Sequence, residues 1–131
     1  MSKKTVKILK RDDIRTANDL KRELVEIPEW GGSVYVRAMT AFERERFEES
    51  LIQGKGKKAR MRLVYARARL ATIVCEDEDG NPLFGENDIA WLAKKSAKAL
   101  DRIFDVAGRL SGLNEEDVED LVKNSEETPD A

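Results

Sequence analysis

The chain has no histidine, one cysteine, three prolines and only 6% aromatic residues in 131 positions. The missing imidazole removes the commonest general base and a common transition-metal ligand. A lone Cys75 excludes an intramolecular disulfide framework and suits a reducing compartment. The basic start Met1-Ser2-Lys3-Lys4 is followed by no apolar run, so no signal peptide is read there. No stretch approaches transmembrane length. The expectation is a soluble, cytoplasmic protein without metal or cofactor.

The length suits one ordinary domain. A hydrophobic fraction of 40% allows a modest core, and a charged fraction of 38% demands a densely ionic surface. The net charge of −2 hides segregation. No acid occurs from Ser50 to Cys75, where Lys55, Lys57, Lys58, Arg60, Arg62, Arg67 and Arg69 are all basic. From Asn114 onward eight acids face a single Lys123. Segments of opposite sign serve head-to-tail self-association as readily as internal pairing.

The pattern predicts a mainly α fold with one small antiparallel β-hairpin near the N-terminus, an α+β domain of about five to six helices. Residues 1–7 read as a flexible terminus, about 8–123 as the single domain, and 124–131 as a disordered acidic tail. Ile8, Leu9 and Ile14 permit a short helical turn. The hairpin is expected at about 22–38, with Pro28 ending the first strand and Gly31 and Gly32 supplying positive φ on the return. Val34, Val36 and Ala38 should share one face, and Tyr35, Arg37 and Met39 the other. Such a hairpin is marginal alone and needs helices over one face.

Thr40 with Glu43 is a capping-box signature for a helix of about 41–53, with Phe42, Phe47, Leu51 and Ile52 on its apolar side. Gly54 to Lys58 reads as a basic loop. A second helix of about 59–75 carries Leu63, Ala66, Leu70, Ile73 and Val74 as its core stripe. Glu76 to Pro82 reads as a solvated acidic turn, after which Leu83 and Phe84 return to the core. A short helix of about 87–95 carries Ile89, Trp91 and Leu92. Ser96 is placed to cap a helix of about 97–111 with Leu100, Ile103, Phe104, Ala107 and Leu110, and Gly112 to stop it. Asn114 with Asp117 is placed to cap a last helix carrying Val118, Leu121 and Val122.

Few residues offer chemistry. Cys75 sits in an apolar stretch before four acids, which raises a thiol pKa, so a buried small residue is expected. The acidic turn lacks the ligand spacing and terminal Glu of a calcium loop. Gly54-Lys55-Gly56-Lys57-Lys58 lacks the spacing of a phosphate loop. No catalytic constellation is present, and the chain is not expected to be an enzyme. The basic segment Lys55 to Arg69 suggests a nucleic-acid footprint, against which stand the acidic overall balance and Tyr65 as its only aromatic. Arg60 and Arg67 fall close to the arc of Leu63, Val64, Ala71 and Val74. Each then needs a carboxylate, either from the helix carrying Glu43, Glu45, Glu48 and Glu49 or across a seam between copies. Trp30 at the hairpin tip either packs on the protein's own helices or anchors a partner.

The segment Glu26-Ile27-Pro28-Glu29-Trp30-Gly31-Gly32-Ser33-Val34-Tyr35-Val36-Arg37 resembles the tail assembly chaperones of long-tailed, siphovirus-type (lambda-like) bacteriophages. The Met39-Thr40 pair and the Glu/Arg-rich helix after it extend the match. Ala71-Thr72-Ile73-Val74-Cys75, Asp79-Gly80-Asn81-Pro82-Leu83-Phe84, Leu100-Asp101-Arg102-Ile103-Phe104 and Leu110-Ser111-Gly112-Leu113 extend it further, over most of residues 20–123. The resemblance implies a small non-enzymatic helical protein made in the host cytoplasm and absent from the finished virion. It implies binding to the tape measure protein, which is kept soluble until tail tube subunits polymerise around it. It also implies self-association into rings or spirals, and a longer frameshifted form that recruits tube protein. No family motif assigns contacts one by one; Trp30, Tyr35, Arg37, Arg60 and Arg67 are the candidate partner or self-association residues. A nucleic-acid module using Lys55 to Arg69 is the alternative.

Overall fold

The structure, a computed structural model, describes residues 5–52 and 65–113. Its first element is helix α1 (Arg11–Arg15), with Asp12 and Asp13 in the first turn and Arg15 in the last. That charge order suits the helix dipole. The Lys10 amide donates to the Asp13 carboxylate at 2.9 Å. The expected turn therefore forms, yet α1 buries none of its residues.

Strands β1 (Arg22–Ile27) and β2 (Gly32–Arg37) pair antiparallel, in a register running from Arg22 opposite Arg37 to Ile27 opposite Gly32. The connection is a single 3₁₀ turn, Pro28–Trp30, with proline at its first position, where no amide donor is needed. Gly31 then reverses the chain at φ +75°, donating its amide to the Pro28 carbonyl at 3.1 Å. Of the two turn glycines Gly31 alone uses the left-handed region; Gly32 already belongs to β2, which narrows the expectation for the pair.

A third strand, β3 (Cys75–Glu76), pairs antiparallel with β2 and completes a sheet of order β1-β2-β3. The sequence pattern placed Cys75 at a helix end and Glu76 in a solvated turn. Both are instead strand residues; Cys75 is buried as expected, at 1% exposure, and Glu76 is buried as well, at 8%. Two residues are too few for alternation to register as a strand.

Helix α2 (Ala41–Ile52) starts as its sequence predicts: the Thr40 amide donates to Glu43 Oε1, and the Glu43 amide to Thr40 Oγ1, each at 3.0 Å. Phe47 and Leu51 are buried, but Phe42 and Ile52 are 67% and 43% exposed. Phe42 lies about 140° around the helix from Phe47, so one narrow buried stripe cannot take both. Helix α3 (Ala66–Val74) buries Leu70, Ala71 and Val74. A 3₁₀ turn (Glu86–Asp88) leads into the short α4 (Ile89–Leu92), which buries Leu92 and leaves Trp91 44% exposed. Leu83, expected in the core, is 40% exposed, and Phe84 packs at the core's border.

Helix α5 (Ala97–Ser111) carries the strongest amphipathic stripe, with Leu100, Ile103, Phe104 and Ala107 buried. Ser96 Oγ accepts the Ala99 amide at 3.3 Å. Gly112, at φ +71°, ends the helix, and the Leu113 amide returns to the Gly108 carbonyl at 2.7 Å. This helix lies on the inner face of the sheet and also contacts α3. The hairpin thereby gains the cover it needs, as Val25, Ile27 and Val36 join one core with α2, α3 and α5. Each fully buried Leu, Ile or Phe in it contributes about 1.5–3 kcal/mol. The expected 54–58 loop, the start of the second helix, the last helix and the acidic tail lie outside the described residues.

Candidate partner-binding surfaces

Strand register brings Arg22, Leu24, Tyr35, Arg37 and Glu76 onto the outer face of the sheet. Arg22 and Arg37 stand opposite each other, an unfavourable pairing that carboxylates must resolve. Glu76 accepts from Arg22 Nη1 at 3.1 Å and lies 3.7 Å from Arg37 Nε. Arg37 donates to both Glu43 oxygens at 2.7 and 2.8 Å, and to the carbonyls of Ala38 and Ile73 at 2.9 Å. Its hydrogen bonds hold the Glu43 carboxyl below the usual range, and Glu43 in turn raises the Arg37 guanidinium. The Arg22 guanidinium stacks 3.9 Å from the centre of the Tyr35 ring. Leu24, opposite Tyr35, is 57% exposed.

Trp30 lies elsewhere, half-buried against the core at the hairpin tip. Beside it Arg102 of α5 donates twice to Glu29 at 3.0 Å, and Arg109 grips Glu23 at 2.8 and 2.9 Å. Arg67 finds its carboxylate on α5, at Asp101, rather than on α2. Helix α3 packs along α5, so an Arg on that side meets Asp101 first, with its guanidinium 5.5 Å from the Phe104 ring centre. Tyr35 and Arg37 thus share one sheet face, Trp30 and Arg67 face α5, and Arg60 lies outside the described residues.

One feature had no place in the sequence reading. Helices α2 and α3 and the segment from Pro82 to Ile89 enclose an open groove of about 480 Å³. Phe42, Phe47, Ile73, Phe84 and Ile89 supply its apolar lining, with Arg46, Arg69 and Glu86 among its charged residues. Phe84 meets Trp91 edge-on at 5.8 Å. The Trp91 indole donates to Asp88 Oδ1 at 2.7 Å, and the Gly85 amide to Oδ2 at 2.8 Å. The Gly85 bond, then the indole, hold the Asp88 carboxyl below its ordinary value. The usable sequence signal was Phe42, which is out of phase with Phe47 and Leu51.

The Cys75 thiol is pushed up to about 12 by burial. Among the described residues no group of His, Cys, Asp and Glu has the arrangement of a metal site. No helix among them is long and apolar enough to cross a membrane. Among the described residues the surface offers an open groove, exposed apolar side chains and paired charges.

A family model described as phage tail assembly chaperone matches residues 10–124. Among solved structures, the chain is similar to the tail assembly chaperone of bacteriophage HK97. That likeness has a TM-score of 0.55 at 20% identity, covering 76% of this chain and 90% of that one. At that identity it is a likeness of fold. No match is found among curated proteins.

Proposed function

Because the chain belongs to the phage tail assembly chaperone family, we propose that it binds the tape measure protein, keeps it soluble and helps tail tube subunits polymerise around it. The match over residues 10–124 carries this reading. The role is non-enzymatic, played in the host cytoplasm, with the chaperone left out of the finished virion. Tube protein is a second partner, reached through a longer frameshifted form, and the chaperone acts as a homo-oligomer.

The task is physical. A long helical client exposes apolar stripes that must be covered reversibly, and covering a stripe needs shallow apolar surface repeated along the client. We assign that contact to the outer face of the sheet, where Leu24 stands beside Tyr35. Among the described residues β1 is also an edge strand, with one side of its backbone unpaired.

Co-expression with a tape measure segment tests the proposal, read as the soluble fraction of that segment. A rise with the native chain and a smaller rise with Leu24→Asp are expected. An equal rise with both moves the client surface away from the sheet. No rise at all, together with salt-dependent retention on DNA, would replace the chaperone reading with the nucleic-acid one through Lys55 to Arg69.

A further inference from the structure

The two margins of the sheet are finished differently. Beyond β3 the chain turns back on itself: the Leu83 amide donates to the Cys75 carbonyl at 3.1 Å, and the Asp77 amide to the Asn81 carbonyl at 2.9 Å. That margin is covered. Beyond β1 no strand follows among the described residues. The Ala38 amide donates to the Lys21 carbonyl at 2.8 Å, which makes these two a hydrogen-bonded pair of the antiparallel register. Alternation then turns the amides and carbonyls of Glu23, Val25 and Ile27 toward β2, and those of Arg22, Leu24 and Glu26 outward. None of these outward groups has a hydrogen bond among the described residues.

An open edge is normally blunted by a bulge, a proline or a lysine. Strand β1 has none of these: its register to β2 advances one for one over all six residues, and Pro28 stands just past its end. Its outward residues are instead self-complementary. Leu24, 57% exposed, lies midway between the cation Arg22 and the anion Glu26, both exposed. An antiparallel copy centred on Leu24 brings Leu24 against Leu24, with Arg22 against Glu26 on either side. Each of these pairs exchanges both of its backbone N–H···O bonds, because all three residues point their amides and carbonyls outward. Other registers fail. Centring on residue 22 or 26 sets like charges face to face, and centring on residue 23 or 25 sets Leu24 against a charge.

The contacts within one chain are compatible with that pairing. Arg22 already reaches across β2 to Glu76, so Glu26 of the partner subunit adds a second carboxylate beside it without breaking the first contact. Glu23 faces the other way, held by Arg109 of α5. On the outer face Tyr35 stands next to Leu24 in register, so the pairing lines up Tyr35 and Leu24 of one copy with Leu24 and Tyr35 of the other.

We propose that β1 of one copy pairs antiparallel with β1 of a second copy about Leu24, joining two three-stranded sheets into one. This gives a molecular basis to the self-association in the functional reading above, and it rests on that reading. The contact is isologous and closes at two chains, so any larger assembly is built from this pair through other surfaces. The row of two leucines between two tyrosines also widens the apolar face assigned to the client.

The test uses the full chain carrying Leu24→Cys or, as a register control, Glu26→Cys, under mild oxidation and read on a non-reducing gel. Both positions are exposed, and the native Cys75 is buried. Across the pair the two residues 24 stand about 5.5 Å apart at Cα, inside the disulfide range, and the two residues 26 about 14 Å apart, outside it. Leu24→Cys should give a covalent species of twice the 14.9 kDa chain mass, and Glu26→Cys none. In sedimentation, Glu26→Lys sets like charges opposite Arg22 and should weaken dimerisation about tenfold or more. Equal cross-linking at both positions, cross-linking at residue 26 alone, or an unchanged affinity for Glu26→Lys overturns the register. A native chain heavier than 14.9 kDa without a cross-link at residue 24 overturns the pairing and leaves self-association standing. A native chain at 14.9 kDa at every concentration overturns both. A Leu24→Cys chain that forms no dimer but joins a cysteine-bearing tape measure segment assigns the edge to that client instead.

Discussion

Replacing Arg37 with methionine isolates what the ion network contributes. The change removes two charge-assisted bonds to Glu43 at 2.7 and 2.8 Å and strips a donor from the carbonyls of Ala38 and Ile73. Bonds to a charged group contribute about 1.5–3 kcal/mol when fully shielded. Here the two side chains are 23% and 28% exposed, so water recovers part of the loss. The Glu43 pair then contributes about 2–3 kcal/mol and the stranded carbonyls about 1, with methionine restoring some stem packing. The net expectation is about 3 kcal/mol. For a domain of this size each kcal/mol lowers the melting temperature by about 3–5 °C, so a fall of about 9–15 °C is expected by circular dichroism. Glu43→Gln on the Arg37→Met background should add little, because the partner is already gone. Arg102→Met, which removes the exposed bond to Glu29, should barely move the melt. A fall under about 3 °C for Arg37→Met, no larger than that control, would refute the shielding argued for the network.

Three further outcomes are expected. The folded-state pKa of Glu43 lies below its unfolded value, so its stabilisation is fully present above the ordinary carboxylate range and is lost as pH falls through the folded value. The melting temperature should hold from pH 7 to about 5 and drop below roughly pH 4.3, with a shallower drop in Arg37→Met. The Cys75 thiol, at about 12, should react with an alkylating reagent at pH 8 about a thousandfold more slowly in the native protein than in denaturant. Gly31→Ala should cost about 1 kcal/mol, since φ there is +75° and no neighbour crowds a methyl group, whereas Gly32→Ala should cost almost nothing. Equal melts for the two alanine variants would contradict the backbone assignment.

Legibility followed the range of the interaction. Thr40 with Glu43, Ser96 with Gly112, and Pro28 with Gly31 each satisfy backbone groups within a few residues, and each formed where its spacing indicated. The α5 stripe was equally plain, because a long helix repeats its signal four times over. Strand β3 was not legible: its two residues reach β2 from about 40 positions away and carry no pattern of their own. The partner of Arg67 failed similarly, since spacing tells which side of α3 the side chain occupies and not which helix packs there. The groove arises between three elements, and only the misfit of Phe42 hinted at it.

The cover over the hairpin is long in coming. Arg22 meets Glu76 across 54 positions, Glu29 meets Arg102 across 73, and Glu23 meets Arg109 across 86. On a ribosome adding about 5–20 residues per second, roughly 4–15 s pass between synthesis of the second strand and of the helix that seals it. Through that interval the two-stranded piece is at best marginally stable, and its edge stays uncovered. Translation speed between Arg37 and Ser111 therefore sets how long the open edge of β1 is available to neighbouring nascent chains. Slow codons after α2 should lower the soluble yield without altering a single residue of the product.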